Sequence, residues 1–236
     1  MTNAASLGTV LSVWAHPDDE TYLCGGLMAE AVRNGSRVVC ITATRGELGS
    51  PDEERWPPGE PLAAVRTEEM AAALAALGVT EHHWLDYPDG GCADVPDEEA
   101  VERITAVMSE VRPDTVLTFG PDGMTGHADH ISAGRWTTAA FAAAAPEGAQ
   151  LAYATNTPEW LASFRAGLDA VGAFMGAEPP CTPESELIIH RIFEGELLEA
   201  KLRAIRCQTS QVEPLVAVLG EGFLRDGLAE ESFRAP

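Results

Sequence analysis

The chain has 236 residues, with 15 Lys and Arg against 37 Asp and Glu, and a formal net charge of −22. So strong a negative field repels a phosphate backbone or an anionic membrane surface, which excludes a nucleic-acid binder and disfavours a polyanionic substrate. At 45% hydrophobic and 22% charged residues the composition is that of a folded globular protein, and the length suits a single α/β domain.

No apolar run reaches the roughly 18 residues of a membrane span, and the opening residues lack the basic start and long apolar core of a secretory leader. Five cysteines, an odd number with no C-x-x-C pair, argue against a disulfide framework, so a reducing cytoplasm is the expected location. These cysteines are spread through apolar segments and read as small hydrophobes.

In chain order, residues 9–14 read as a buried strand and 20–34 as the helix after it, stopped by Gly35. Residues 37–43 are rich in β-branched side chains and form the second expected strand. Residues 44–61 are punctuated by Gly and Pro as a loop is, and 62–77 carry Ala and Leu at helical spacing before Gly78. A short strand at 82–85, a turn at 87–92, a helix at 97–111 and a strand at 115–119 follow. A helix over 131–145 and a strand over 151–155 continue the alternation. Residues 157–183 break it with many Pro and Gly and read as an insertion or lid; 187–192 resume as a strand and 194–207 as a helix, with no assignment beyond. This order predicts one α/β domain, a mostly parallel sheet with helices on both faces, whose sites lie at the carboxyl ends of strands near the switch in strand order.

Chemistry is concentrated just past two of those strands. Ala15-His16-Pro17-Asp18-Asp19-Glu20 follows the first. A zinc ion takes imidazole nitrogen and carboxylate oxygen, and a catalytic site needs three such ligands and an open position. Adjacent aspartates seldom both face one ion, so one can ligate while the other stays free as a base. The plainer alternative is a helix N-cap supplied by Asp18 or Asp19. The second cluster, Gly126-His127-Ala128-Asp129-His130, follows the 115–119 strand and a glycine-rich loop. Its histidines at i and i+3 can share a helix face, and Asp129 can fix an imidazole tautomer. Three of the six histidines fall in these clusters; of the others, His82 and His83 open a short strand and His190 reads as a core residue of a later one.

Together the two clusters, with Gly25-Gly26, resemble the signature motifs of the PIG-L/LmbE-like deacetylases. Thr44-Arg45-Gly46-Glu47, Arg66-x-x-Glu69, Leu77-Gly78-Val79 and Asp86-Tyr87-Pro88-Asp89-Gly90 extend the similarity over residues 9–138. The resemblance implies a metal-dependent hydrolase of N-acyl groups on a Rossmann-like sheet. It implies His16, Asp19 and His130 as metal ligands, Asp18 as general base, His127 as acid or electrostatic partner, Asp129 orienting His127, and Arg66 and Asp89 as substrate contacts. For Arg66 and Glu69 the plainer reading is an exposed i,i+3 pair. The loop at 120–125 lacks the aromatic residue that many relatives place there, and Cys207-Gln208 stands where relatives often carry a histidine before the glutamine.

The expected chemistry follows: a metal lowers the pKa of a bound water to about 7, Asp18 takes its proton, and His127 protonates the departing amine. Zn²⁺ is the expected ion, with Fe²⁺ the alternative for a two-His, one-carboxylate set. The expected substrate is a small N-acetylated amino sugar or its conjugate. The alternatives are an amidase for a larger or non-sugar N-acyl group, and a non-catalytic metal-dependent binding protein. No membrane or nucleic-acid partner is expected, and a homo-oligomer is compatible with the lid segment.

Overall fold

The computed structural model describes residues 7–236; the leader reading rests in part on residues 1–6, outside the described residues. Five apolar segments form strands β1 (Val10–Trp14), β2 (Val38–Thr44), β3 (Glu81–Tyr87), β4 (Thr115–Phe119) and β5 (Gln150–Thr155). Between them run α1 (Asp19–Arg33), α2 (Glu60–Leu77), α3 (Asp97–Val111), the short turn α4 (Gly123–Gly126) and α5 (Ala128–Ala144). The carboxyl-terminal part adds α6 (Pro158–Ala170), β6 (Leu187–Ile192), α7 (Gly195–Cys207), α8 (Thr209–Leu219), α9 (Glu221–Gly227) and β7 (Glu230–Arg234).

The seven strands are ordered β3-β2-β1-β4-β5-β7-β6, with β1 to β5 all parallel. Chain order turns back at β1: β2 and β3 lie on one side and β4 on the other. The carboxyl ends of β1 and β4 are therefore neighbours at the topological switch point, where such sheets bind ligands. Both motifs leave from those two ends.

Strand alternation explains why helices cover both faces. Leu11 and Val13 of β1 pack with Ile104 and Met108 of α3 and Trp136 of α5. Val10 and Trp14 point the other way, to a core with Leu27 of α1, Met70 of α2 and Leu202 of α7.

Three features differ from the sequence expectations. Helix α5 starts at Ala128 rather than at 131, because His127 caps it: its Nδ1 accepts from the Asp129 amide at 3.1 Å. Residues 157–183 contain a regular helix, α6, started by Thr157 Oγ1 accepting from the Trp160 amide with Pro158 at the first turn. The segment beyond 207, without an expected assignment, supplies two helices and β7. That strand inserts between β5 and β6, antiparallel to both.

Candidate metal centre and active site

Helix α1 begins abnormally. Asp18 occupies its N-cap position with φ 100° and makes no side-chain cap, a left-handed conformation that costs a non-glycine residue of order 1–3 kcal/mol and is characteristic of functional sites. The peptide carbonyl takes over the local bonding, accepting from the Thr21 and Tyr22 amides, while the Asp18 amide donates to Glu20 Oε2 at 3.0 Å. The Asp18 side chain is thereby released from the helix. Its Oδ2 lies 3.1 Å from Arg66 Nη2, and Arg66, only 3% exposed, also donates to the carbonyls of Gly46 and Pro17. Burial raises the Asp18 carboxyl to about 7, helped by the charges of Asp19 and Glu69 and opposed by Arg66 and His16.

Asp19 turns the other way. Its Oδ2 accepts from the His16 amide at 2.8 Å, which places its carboxylate 3.7 Å from His16 Nδ1 and 3.5 Å from His130 Nε2. His16 Nδ1 and His130 Nε2 are themselves 3.1 Å apart. Ligands at about 2.0–2.1 Å in tetrahedral array are separated by roughly 3.3 Å; the two imidazole nitrogens stand near that spacing, with one Asp19 oxygen facing each of them at 3.5 and 3.7 Å. His127 joins the group: its ring centroid is 4.8 Å from that of His16 and 5.1 Å from that of His130. His16, His127 and His130 form one cluster with ligand atoms close enough to share an ion, and His16, Asp89 and Asp129 form a second.

The outer hydrogen bonds decide what the inner nitrogens carry. His16 Nε2 faces only acceptors, Asp89 Oδ1 at 3.1 Å and Asp129 Oδ2 at 3.2 Å, so it bears the proton. His130 Nδ1 donates to the Gly123 carbonyl at 2.9 Å, and its ring stacks on Phe119 with centroids 4.2 Å apart. Two neutral imidazoles so held would set lone pair against lone pair; a proton on His16 Nδ1 donated to His130 Nε2 at 3.1 Å relieves the contact, and a cation can stand in that proton's place. Burial alone would lower the His16 pKa, but its bonds to Asp129 and Asp89 and the Asp19 charge raise it to about 10. His130 is pushed down by burial to about 4. The donor set therefore fits a divalent metal ion.

The structure corrects the role expected of Asp129. Its carboxylate does not reach His127; it bonds His16 Nε2 and accepts from the amides of Gly90 at 2.7 Å and Cys92 at 3.1 Å. His127 is held instead by the Asp129 backbone amide. These donors keep Asp129 below the usual carboxylate range against the effect of burial. Asp89, 9% exposed, is likewise committed to protein: Oδ1 to His16 and Oδ2 to the Leu48 amide at 2.8 Å. Burial, the largest single effect, works against its charge, but the bond and charge of His16, the Leu48 amide and the Arg66 charge together hold it low.

Arg66 and Glu69 are not an exposed pair. Both are buried, and Glu69 turns to α8, accepting from the Ser210 amide at 2.7 Å and its hydroxyl at 2.6 Å. The glycines after the first motif are required by close packing: a Cβ on Gly26 would lie 2.4 Å from the Phe193 ring. Sequence reasoning missed the helpers Gly123, Thr125 and Gln208. Thr125 Oγ1 lies 3.2 Å from His130 Nδ1, and the buried Gln208 donates to Glu20 Oε1 at 3.3 Å. The Gly120–Thr125 turn signal and the Cys207-Gln208 pair were visible in advance, but neither carried a role. His82 bonds Thr42 Oγ1 at 3.0 Å, and His190 faces Glu184 and Glu230 rather than the metal group. Among the cysteines, Cys181 is exposed and departs from the hydrophobe reading; Cys24, Cys40 and Cys92 are buried as expected. Among the described residues no helix is long and apolar enough to cross a membrane.

Comparison with known proteins agrees with this geometry. The GlcNAc-PI de-N-acetylase (PIG-L) family model matches residues 11–141. A 1D-myo-inositol 2-acetamido-2-deoxy-alpha-D-glucopyranoside deacetylase of Rhodococcus erythropolis is 33% identical over 244 residues, covering 88% of this chain and 82% of its own. The protein of the same name from Kineococcus radiotolerans is 34% identical, covering 86% of this chain and 68% of its own. In fold, the chain resembles N,N'-diacetylchitobiose deacetylase from Pyrococcus horikoshii, with TM-score 0.62, 23% identity and coverage of 97% and 83% of the two chains. It also resembles the A40926 pseudoaglycone deacetylase Dbv21, with TM-score 0.69, 21% identity and 97% of each chain. With the family model spanning more than half its length and both motifs assembled at the switch point, the chain belongs to the PIG-L family of de-N-acetylases.

Proposed function

We propose that this chain is a cytoplasmic, metal-dependent N-deacetylase that removes the acetyl group from an N-acetylated amino sugar or its conjugate. The observation that carries the reading is the pair of facing imidazole nitrogens, 3.1 Å apart, beside a strained Asp18 that declines its capping role. His16, Asp19 and His130 would hold the ion, and their two-nitrogen, one-carboxylate chemistry supports Zn²⁺, with Fe²⁺ the alternative. When bound, such an ion acidifies water and polarises an acyl carbonyl.

The protein's own groups supply the proton traffic. Asp18, oriented by Arg66, accepts the proton of the attacking water. Arg66, committed to three protein oxygens, supports a positioning role more than direct substrate contact. His127 has Nδ1 filled by the Asp129 amide, so its neutral form carries the proton on Nε2 and can pass it to the departing amine. The names of the relatives support an inositol-linked 2-acetamido sugar as the substrate class.

The test is amine release from N-acetylglucosamine conjugates by wild type and Asp18→Asn, with metal content measured on both. Loss of a general base lowers turnover by about 10²–10⁴. Turnover should fall by that factor with metal retained; unchanged turnover in the variant would overturn the assignment of the base.

A further inference from the structure

Beside the metal group lies a chamber of about 260 Å³ lined by Asp19 and His130 and then by apolar side chains, among them Leu23, Phe119, Trp160 and Phe174. Its roof comes from the 157–183 segment and from α8 and α9. Most of the polar side chains in its wall are engaged with protein, while Tyr22 and the Glu230 carboxylate also border it. Thr155 bonds Thr182 at 2.8 Å, Asn156 donates to the Pro180 carbonyl at 3.0 Å, and Ser232 donates to Glu230 at 3.1 Å. Glu231 is saturated by Lys201 and the amides of Gly26 and Leu27. A sugar ring needs free donors and acceptors for all its hydroxyls, and burying it here would leave most of them unpaired. An apolar cavity of about 150 Å³ holds a benzene molecule, so this chamber is far larger than an acetyl methyl requires.

The side of the site on which the chamber lies identifies the part of the substrate it receives. Asp18, His127, Asp89 and Asp129 do not line it. In the deacetylase reading, on which this inference rests, the departing amine must be next to the proton donor His127. The acyl carbonyl faces Asp19 and His130, and the chamber opens on those two residues.

We propose that the chamber is an acyl-chain pocket and that the enzyme prefers N-acyl amino sugars with linear chains of about six to eight carbons over N-acetyl ones. The reaction is the same hydrolysis: the amide C–N bond breaks, the acyl carbon takes the water oxygen, and the amine leaves with a proton. Residues 157–183 then act as the wall that measures chain length.

The experiment compares kcat/KM on N-acetyl-, N-butyryl-, N-hexanoyl- and N-octanoyl-glucosamine, using the zinc-loaded wild type and Ala173→Trp, which fills the chamber from its wall. Leu168→Trp serves if the first variant does not fold. Each buried methylene is worth roughly three- to fourfold, so N-hexanoyl should exceed N-acetyl by at least about tenfold. The tryptophan variant should lose that preference while keeping its N-acetyl rate. A rate that falls steadily with chain length in wild type overturns the pocket and leaves the deacetylase reading intact. Calorimetric titration with octanoate and acetate gives a readout without turnover. If no substrate releases amine, the deacetylase reading fails, and the pocket stands if octanoate binds at least about tenfold tighter than acetate and only in the unfilled chamber. Equal affinity for the two acids overturns it.

Discussion

Lys201 and Glu231 are both fully buried, with Nζ 2.7 Å from Oε1, and they repair a break in the helix that carries the first motif. Cys24 has φ −144° inside α1, which interrupts the i to i−4 ladder. The freed amides of Gly26 and Leu27 donate to the two Glu231 oxygens at 2.6 and 2.9 Å, and the freed Tyr22 carbonyl accepts from Lys201 Nζ at 2.9 Å. Lys201→Met removes the ammonium while keeping the apolar stem. It leaves a buried carboxylate without its counter-charge and a carbonyl without its donor, and breaking a buried pair in this way costs about 3–5 kcal/mol. In urea unfolding, a slope of about 3 kcal/mol/M converts that to a midpoint drop of about 1–1.7 M. The double variant Lys201→Met, Glu231→Gln should recover part of the loss, because no uncompensated charge remains. Burial raises the Glu231 pKa against the pull of Lys201 and the two amides; without Lys201 it rises further. A carboxyl raised on folding contributes stability below its unfolded pKa and loses it as pH climbs through the folded value. The Lys201→Met deficit should therefore be smaller at pH 5 than at pH 8. A midpoint shift corresponding to less than about 1 kcal/mol, or a deficit independent of pH, would refute the argument that the pair repairs the break.

Asp129→Asn weakens the carboxylate bond that orients His16, so metal affinity measured by chelator competition should fall about 10–100-fold; equal affinity would show that His16 needs no such partner. His82 is held at about 4 by burial and by the charges of His83 and Arg45, against an ordinary 6.5. The unfolded chain thus binds the extra proton between those values, and stability must fall as pH drops through that window. His82→Gln should remove roughly 2–3 kcal/mol of this acid sensitivity in paired urea titrations at pH 7 and pH 4.5, and parallel profiles would contradict it. Gly26→Ala brings a methyl to 2.4 Å from the Phe193 ring, and overpacking of this kind costs about 1–3 kcal/mol. A melting temperature equal to wild type would mean that Phe193 moves freely.

The alternation of strands and helices up to β5 was readable because β1, β2 and β4 are short, wholly buried runs, with Val10–Trp14 closed by His16 and Thr115–Phe119 by the glycine-rich turn; the half-buried β3 was legible only over its middle. Strand β7 was not. Glu230–Arg234 is four-fifths polar, and its place between β5 and β6 depends on Phe233 meeting Ala154 and Ile189, partners far away in the chain. Lys201 and Glu69 look like solvated helix positions, since nothing local shows that a kinked α1 or the start of α8 will bury them.

The residue types and spacing of the two motifs determined on their own that histidines and carboxylates would converge at one sheet edge, because parallel strands must present their carboxyl ends together. Which group each one touches was decided only by the tertiary structure. The packed crossovers aim the Asp129 carboxylate at His16 and its amide at His127, and they turn Asp18 away from the helix it precedes. The apolar chamber belongs to the same level. It exists because α6, α8 and α9 close over the sheet, and no single segment of the sequence contains its volume.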